Sequence, residues 1–468
     1  MKTPIILIAS ILFSLLFFKY HIGLNIVLFA ILTNVVLAVL NPKKYKEKNT
    51  LIKAFLLIVS GFFFFKQPSV LTIFTYFISF VLLVGSVSES KSAIYIKLIN
   101  GLYSIIVASF ANHFDRVKNE VKAIENQKIN YGFWLRIIGI PILVLSLFIG
   151  LYKDSNPVFN NLVSQINFSF INIQWLLFTA MGYYLFHNIA NPIIIEPATK
   201  TDLETPNFLI KENLNVTNDE KLKTENQLGT VLIILLNTLI SVVLFTDYLY
   251  LNSDLNTDNP MAYSKNVHSG IYALIFSIIT AIGLIIYFFR GNLNFYNKNK
   301  TLKIATYIWI ALNILLVFST ALKNHSYIAT FGYTYKRIGV SVYLLLVFIG
   351  LIFTFIKVYS IKNIVFLFRK NLQVAFAILI LTSAINWDNF ITNYNLTKVR
   401  NGLDVEYLLR LNNNATILKK YKDKHINTKN DAINFNRYPK RIDDKYNWYL
   451  VDLENNSWQE KIYANFLK

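Results

Sequence analysis

The chain has 468 residues, of which 54% are hydrophobic, 15% are aromatic and only 15% are charged. Soluble proteins carry roughly 25% charged residues, so this composition excludes an ordinary soluble protein and favours one that crosses a membrane several times. The net charge of +20 orients the loops of such a protein, so we expect no nucleic-acid partner, and the absence of cysteine excludes disulfides and thiolate chemistry.

Apolar runs that approach 20 residues, the length a helix needs to cross a bilayer, recur along the chain. We count 11 of them: Pro4–Phe18, Ile22–Leu40, Leu51–Phe65, Ser69–Val87, Phe133–Tyr152, Ile171–Phe186, Leu228–Phe245, Val267–Phe289, Ile304–Ala321, Ile338–Ile356 and Leu372–Trp387. The sequence therefore predicts an all-α fold, a polytopic transmembrane bundle of about 11 helices.

The segment Ala93–Ala111 is apolar on balance but has Lys97 and Asn100 at its centre. If this segment lies at the membrane surface, most short loops rich in Lys and Arg fall on one side, which is the cytoplasmic side by the positive-inside rule. A crossing here would invert every later loop and place the cations near Arg290 and Lys370 outside. We therefore predict interfacial helices near residues 93–131, a cytoplasmic N-terminus and an extracytoplasmic C-terminus.

These spans divide the chain into four regions. Residues 1–187 form an N-terminal transmembrane half, 188–226 a cytoplasmic linker, 227–387 a C-terminal transmembrane half and 388–468 an extracytoplasmic tail. The linker has three prolines and no apolar periodicity, which is typical of a flexible segment.

In the tail, apolar spacing predicts two short helices over residues 403–418, a strand over Tyr446–Asp452 and an amphipathic helix over Trp458–Phe466. The tail is too small for a large core of its own, so we expect it to pack on the outer ends of the bundle.

Ionisable groups at membrane depth are few. Lys53 and Arg136 lie within one turn of a span end, where snorkelling to the inner surface explains them. No acidic residue lies in the middle of a span, which argues against a proton relay built from carboxylates. Buried amides remain, and Asn237 and Asn313 are predicted either to bridge helices by hydrogen bonds or to line the path of a solute.

A cluster of polar residues is predicted at the outer ends of four spans: Asp247, His268, Tyr335, Lys336, Arg337 and Asp388. Lys336 and Arg337 lie on the side where positive charge is disfavoured, so Asp247 and Asp388 are the expected partners of these cations. His268 could titrate within the set. The cluster is interpreted either as ion pairs and an aromatic belt that lock helix ends, or as a ligand or catalytic site.

Enzymatic and metal-binding motifs do not occur. The sequence has no HExxH, CxxC, GxSxG or GxxxxGK pattern, and its six histidines are scattered. We therefore predict no catalytic residues, no metal site and no cofactor.

Several stretches of the second half carry a family resemblance: Leu151–Phe159 (LYKDSNPVF), Tyr263–Tyr272 (YSKNVHSGIY), Phe331–Val340 (FGYTYKRIGV), Asn386–Leu396 (NWDNFITNYNL) and Leu403–Leu411. Together they resemble uncharacterised bacterial integral membrane proteins, the domain-of-unknown-function 4173 group and its relatives in the 4153 group. The resemblance covers residues 133–415. It implies a polytopic inner-membrane protein without an assigned reaction, and it supplies no catalytic residues.

We therefore expect a multi-pass protein of the bacterial cytoplasmic membrane, with the lipid bilayer as its surroundings. The favoured function is a non-enzymatic envelope or sensory component whose outer face binds a ligand or, through the tail, another envelope protein. One alternative is a transporter of small solutes or lipids with a polar path near Asn237 and Asn313. Another is an enzyme acting on a lipid-linked substrate, with His268, Asp247 and Arg337 near the reacting group.

Overall fold

The computed structural model describes residues 2–120, 137, 140–160, 172–211, 216–252, 276–399, 403–425 and 438–466. Within these ranges the regular elements are α-helices and two short 3-10 turns, which confirms the all-α fold. Seven of the helices are long and apolar enough to cross a membrane, and three shorter helices are also apolar. The chain thus has the make-up of a multi-pass membrane protein.

The first half of the chain folds into one helical bundle. Its described helices are α1 (Lys2–Phe17), α2 (Leu24–Leu40), α3 (Pro42–Tyr45), α4 (Lys48–Lys66), α5 (Val70–Ser88), α6 (Ile94–Glu120), α7 (Ile140–Ser155) and α8 (Ile173–Ala190). Phe29 lies at the centre of the bundle, where its ring contacts those of Phe13, Phe80 and Phe186 at centroid distances of 5.6, 5.8 and 6.0 Å. Aromatic contacts of this kind join four helices into one core.

The second half forms another bundle. Its described helices are α10 (Val216–Asn252), α11 (Phe276–Phe288), α12 (Lys300–Phe331), α13 (Tyr335–Tyr359) and α14 (Ile364–Ser383), and the short helix α9 (Glu196–Glu204) lies in the segment between the two bundles. The core of this bundle includes Ile233, Phe288 and Trp309. The last helix, α14, also packs against α4, α5 and α6 of the first bundle, where Phe376 contacts an apolar cluster with Leu82. The two bundles therefore meet along α14.

The tail continues from α14 as α15 (Trp387–Lys398), α16 (Val405–Arg410), α17 (Ala415–His425), α18 (Pro439–Asn455) and a 3-10 turn at Tyr463–Phe466. The two short helices expected near residues 403–418 are present as α16 and α17. The predicted strand is wrong, because Ile442 and Leu453 lie buried on one side of α18, at helical spacing. Burial of that stripe outweighs the strand preference of the Tyr and Trp residues between them. The helix predicted after Trp458 is reduced to the 3-10 turn.

The loops fall on two faces of the molecule. One face, which we call the N-terminal face, holds residues 41–47, 89–93, 191–211 and 360–363. On this face Lys44 Nζ donates to the Ser88 carbonyl oxygen at 2.9 Å. The C-terminal face holds residues 18–23, 67–69, 332–334 and the tail, and there Gln67 Nε2 donates to the Ser383 carbonyl oxygen at 2.8 Å. The tail packs on helix ends at this second face, as expected.

Helix α6 runs antiparallel to α5 and is long and apolar enough to cross a membrane, which favours a crossing over the interfacial placement predicted for residues 93–111. The Cα of Gly85 faces the backbone of Lys97, and that of Gly101 faces the backbone of Val81, so the two helices follow each other closely along their length. The interfacial placement was predicted because Lys97 and Asn100 suggested contact with water. In the structure these side chains are 5% and 0% exposed, and they serve the protein interior.

A crossing by α6 does not invert the later loops, because α8 also begins on the C-terminal face. Helix α8 runs antiparallel to α1, with Ser14 Oγ and Thr179 Oγ1 at 2.7 Å and Lys2 Nζ donating to Asn191 Oδ1 at 3.0 Å. The chain between α6 and α8 thus starts and finishes on one face. Part of the predicted span Phe133–Tyr152 and Arg136 lie outside the described residues.

The segment predicted as a flexible linker is structured over much of its described length. It includes α9, and α10 begins within it at Val216. Its extended residues bind to α6: the Ile193 amide donates to Ser104 Oγ and the Ile195 amide donates to Asn100 Oδ1, both at 3.0 Å. These hydrogen bonds join polar groups that are far apart in the sequence, so the spacing of apolar residues could not predict them.

We predict that Gly85→Ala destabilises the protein, because the new Cβ would lie 1.8 Å from the Lys97 carbonyl oxygen. Helices α5 and α6 would have to separate, and overpacking of this kind costs about 1–3 kcal/mol. The measurement is thermal unfolding of the purified protein in detergent, followed by tryptophan fluorescence. Gly339→Ala in α13 is the matched control, since nothing lies within 4 Å of its added Cβ. Equal stability of the two variants would refute the close α5–α6 contact.

Candidate functional site

The polar cluster predicted at the outer ends of four spans is not one site. Asp247 is bonded to α12, where it accepts hydrogen bonds from Ser319 Oγ at 2.8 Å and Lys323 Nζ at 2.6 Å. Lys336 is exposed. His268 lies outside the described residues. Asp247 therefore holds α10 against α12. The prediction that it pairs with Lys336 or Arg337 is wrong, because its carboxylate bonds to Ser319 and Lys323.

Asp388 is 5% exposed and holds the tail on the C-terminal face. Its Oδ1 accepts from the Tyr335 hydroxyl at 2.7 Å, and its Oδ2 accepts from the backbone amides of Asn412 at 3.1 Å and Asn413 at 2.8 Å. Burial lowers the pKa of Lys445 in α18 to about 8, although the charge of Asp388 acts in the opposite direction. Asp388 thus interacts electrostatically with a cation of the tail, Lys445.

Arg337 is stabilised by the end of the preceding helix, and no acid pairs with it among the described residues. Its Nη1 donates to the carbonyl oxygens of Phe331, at 2.9 Å, and Gly332, and its guanidinium lies 3.9 Å from the centre of the Tyr327 ring. Carbonyls at a helix C-terminus carry partial negative charge, which favours a cation there. Gly332 has φ = +78°, a conformation that glycine adopts easily and that aims its carbonyl at Arg337.

The two candidate intramembrane amides are apart. Asn237 Nδ2 donates to the Ala305 carbonyl oxygen at 2.9 Å and bridges α10 to α12, whereas Asn313 Nδ2 donates to Trp309 of its own helix at 2.8 Å. Ala305 and Asn313 are two turns apart, roughly 12 Å along α12. The carboxamide oxygens of both asparagines have no partner among the described residues. The structure does not bring them into one polar path.

A different set of charged residues surrounds a cavity of about 510 Å³ on the N-terminal face, which we call the interbundle cavity. Its walls come from both bundles and from the segment between them. They contribute Lys53 of α4, Lys91 of the loop before α6, Lys97 in the first turn of α6, Asp202 of α9 and Arg369 of α14. Four cations and one acid thus line it among the residues that the structure describes.

Asp202 and Arg369 neutralise each other at one wall. Arg369 Nε and Nη2 lie 3.3 and 3.1 Å from Asp202 Oδ1, which also accepts from the Tyr95 hydroxyl at 2.6 Å, while Oδ2 accepts from the Ala93 amide at 2.7 Å. Burial alone would raise the pKa of Asp202, but these hydrogen bonds outweigh burial and lower the pKa below its usual value. Arg369 Nη1 also donates to Asn207 Oδ1 at 2.7 Å. The charges of Asp202 and Arg369 therefore balance each other within the protein.

The lysines of the cavity are not neutralised in this way. Lys97 is 5% exposed, and its ammonium group forms no hydrogen bond or ion pair with any residue in the described ranges. The Lys53 ammonium lies 4.5 Å from the centre of the Phe376 ring, and the positive charges of Lys53 and Lys97 act on each other. The negative charges of Glu89, Asp202 and Glu47 also act on Lys97, but none of these carboxylates bonds to it. Glu89 accepts from the Lys91 amide, Asp202 from Arg369 and Glu47 from Ser90.

This arrangement suits an anion, because ammonium groups that share a buried space repel each other unless a negative charge joins them. Sequence reasoning missed the set. It explained Lys53 by snorkelling, used Lys97 to place α6 at the surface and did not single out Asp202 or Arg369. The available signal was that Lys53, Lys97 and Arg369 all fall within about two turns of a span end on the same predicted side.

We predict that Asp388→Ala releases the tail, since it leaves the Tyr335 hydroxyl and two backbone amides without their acceptor. Unsatisfied buried donors cost about 1–3 kcal/mol each. Limited proteolysis should cut the tail of this variant faster than that of the wild type. Glu406→Ala is the control, because Glu406 forms an exposed ion pair with Arg441, and exposed pairs contribute little to stability. Equal cleavage of both variants would contradict the proposed anchoring by Asp388.

Comparison with known proteins gives one family. A family model described as "Domain of unknown function (DUF4153)" matches residues 7–418, a range that includes all the charged residues of the interbundle cavity. No curated protein and no solved structure matches the chain. The resemblance noted in the second half is confirmed for the 4153 group, and the match extends through the N-terminal bundle, while α18 lies beyond it. The chain, with its two bundles of apolar helices, therefore belongs to the DUF4153 family, whose domain has no assigned function.

Proposed function

We propose that this membrane protein is a non-enzymatic binding protein and that its ligand is an anionic group held in the interbundle cavity. The observation that carries the proposal is Lys97, 5% exposed and without an ion-pair partner among the described residues. A lysine at membrane depth costs about 2.5–3.5 kcal/mol. An anion between Lys97 and Lys53 offsets that cost and removes the repulsion between the two ammonium groups.

The size, position and chemistry of the cavity support binding. A volume of about 510 Å³ is within the range of small-molecule sites, which commonly lie at interfaces between domains. The described lining contains no histidine, and its single carboxylate, Asp202, is held ionised by Arg369 and its other donors. The lining therefore offers a carboxylate that is already paired and ammonium groups that suit an anion, which supports a binding role.

The proposal keeps the binding role that the sequence favoured and moves it to the other face. On the C-terminal face, Tyr335 and Asp388 are bonded to each other, so a ligand there would have to displace protein contacts. We propose that the N-terminal face is cytoplasmic in a bacterial membrane, because Lys43, Lys44 and Lys46 lie on it beside the helix ends. The anion would then come from the cytoplasm or from the inner leaflet.

We predict that the purified protein binds glycerol 3-phosphate, a soluble phosphate ester, and that Lys97→Met weakens this binding about 10- to 100-fold. A charge-assisted hydrogen bond contributes about 1.5–3 kcal/mol, which corresponds to that range. Without ligand, Lys97→Met should be at least as stable as the wild type, because it removes a buried charge that has no described partner. Isothermal titration calorimetry and thermal unfolding at constant ionic strength measure the two effects.

Lys357→Met is the matched control. Lys357 is 1% exposed on the same face, but its Nζ donates to the Phe289 carbonyl oxygen at 2.7 Å, and it does not line the cavity. This variant should lose stability and keep its affinity for glycerol 3-phosphate. Binding that is unchanged in Lys97→Met would disprove the proposed anion site.

A further inference from the structure

We propose that the anion in the interbundle cavity is the phosphate of a membrane lipid, which enters sideways between α4 and α14 and is held by Lys53 and Lys97. This inference rests on the proposed anion-binding function and narrows it to a class of ligand. The same phosphate chemistry could reach the cavity from a soluble metabolite. Three features of the cavity, namely its depth, its edge and the surface beneath it, favour the lipid.

The first feature is depth. Lys53 is five residues after the start of α4 at Lys48, and Lys97 is three residues after the start of α6 at Ile94. At 1.5 Å per residue the two Cα atoms lie roughly 8 and 5 Å below the helix starts. The phosphates of a bilayer lie at the boundary between its hydrocarbon core and the polar region, so a headgroup reaches this level without leaving the membrane.

The second feature is the edge of the cavity. Ile52 of α4 lines the cavity and is 44% exposed, and its neighbours Leu51 and Phe55 are 45% and 65% exposed. Exposed apolar side chains on a membrane-spanning helix face the acyl chains of lipids. On the side of the linker, Leu203 also lines the cavity and is 46% exposed. The mouth of the cavity therefore adjoins an apolar surface, which suits an amphiphile better than a fully hydrated ion.

The third feature is the surface one turn deeper. Below Ile52 and Lys53 lies Leu56 of α4, and opposite it lie Phe376 and Ile380 of α14. Leu56 is partly buried, and the contacts there are apolar throughout the cluster. An acyl chain that continues from a phosphate in the cavity would run along this seam. Charged walls above an apolar seam match the two parts of a phospholipid in the order in which a bilayer arranges them.

Electrostatics supports a phosphate at this position. Asp202 and Arg369 are bonded to each other at 3.1 Å, so Arg369 positions the wall and its charge is already balanced. Lys53, Lys91 and Lys97 remain to face the ligand. A phosphate oxygen can accept from each of two ammonium groups, and lysine binds phosphate well as a point charge. An uncharged lipid such as diacylglycerol would leave the repulsion between Lys53 and Lys97 in place.

The test compares three probes on delipidated protein in a non-ionic detergent by native mass spectrometry and competition: dioleoyl phosphatidylglycerol, dioleoylglycerol and glycerol 3-phosphate. Phosphatidylglycerol should bind at least about tenfold more tightly than either of the others, because it alone carries both the phosphate and the chains. Lys97→Met should weaken its binding at least about tenfold. Phosphatidylglycerol that binds no more tightly than glycerol 3-phosphate would overturn the lipid assignment while leaving the anion site intact.

A second variant separates the chain from the headgroup. Leu56→Trp fills the apolar seam and should weaken phosphatidylglycerol at least about fivefold without changing the affinity for glycerol 3-phosphate. Phe62→Trp, at an exposed position of α4 away from the cavity, should change neither affinity. Unchanged phosphatidylglycerol binding in Leu56→Trp would overturn entry between α4 and α14. Failure of all phosphate probes to bind would overturn the proposed function together with this inference.

Discussion

The buried contact between Asp202 and Arg369 determines how the two bundles sit together on the N-terminal face. Asp202, in the segment between the bundles, accepts from Tyr95 and the Ala93 amide at the start of α6 and from Arg369 of α14. One carboxylate thus joins the first bundle, the linker and the helix along which the bundles meet. Removing one partner of a buried ion pair costs about 3–5 kcal/mol, so the positions of α6, α9 and α14 depend on it.

Each face of the molecule is closed by an aspartate that is 5% exposed and accepts from a tyrosine hydroxyl: Asp202 from Tyr95 at 2.6 Å and Asp388 from Tyr335 at 2.7 Å. The two faces differ in how their other cations are balanced. On the C-terminal face the cation Arg337 is balanced by helix-end carbonyls and an aromatic ring. On the N-terminal face the pairing of Asp202 with Arg369 leaves the cavity lysines without a bonded counter-charge in the part of the chain that the structure describes. The proposed binding role rests on that difference.

The sequence predicted helices such as α5 and α13, because a helix in a bilayer must be apolar where it faces lipid, and long apolar runs satisfy that locally. It did not predict the packing of α6 against α5, because Lys97 and Asn100 suggested contact with water. The partners of such polar groups lie far along the chain: Ile195, whose amide bonds to Asn100, is 95 residues away. The interbundle cavity was hidden for a related reason. Lys53 and Arg369 were treated as charges near loops, which helps to predict the topology. That treatment does not reveal that both residues line a cavity between the two bundles.

The most direct test of the anion site is a cryo-electron microscopy map of the protein purified from its native membrane without added anions. The account predicts density for a phosphate group within hydrogen-bond distance, about 3 Å, of the ammonium groups of both Lys53 and Lys97, with the density lost in Lys97→Met. A cavity that holds only water, or one in which an acidic side chain of the protein itself pairs with Lys97, would contradict the account.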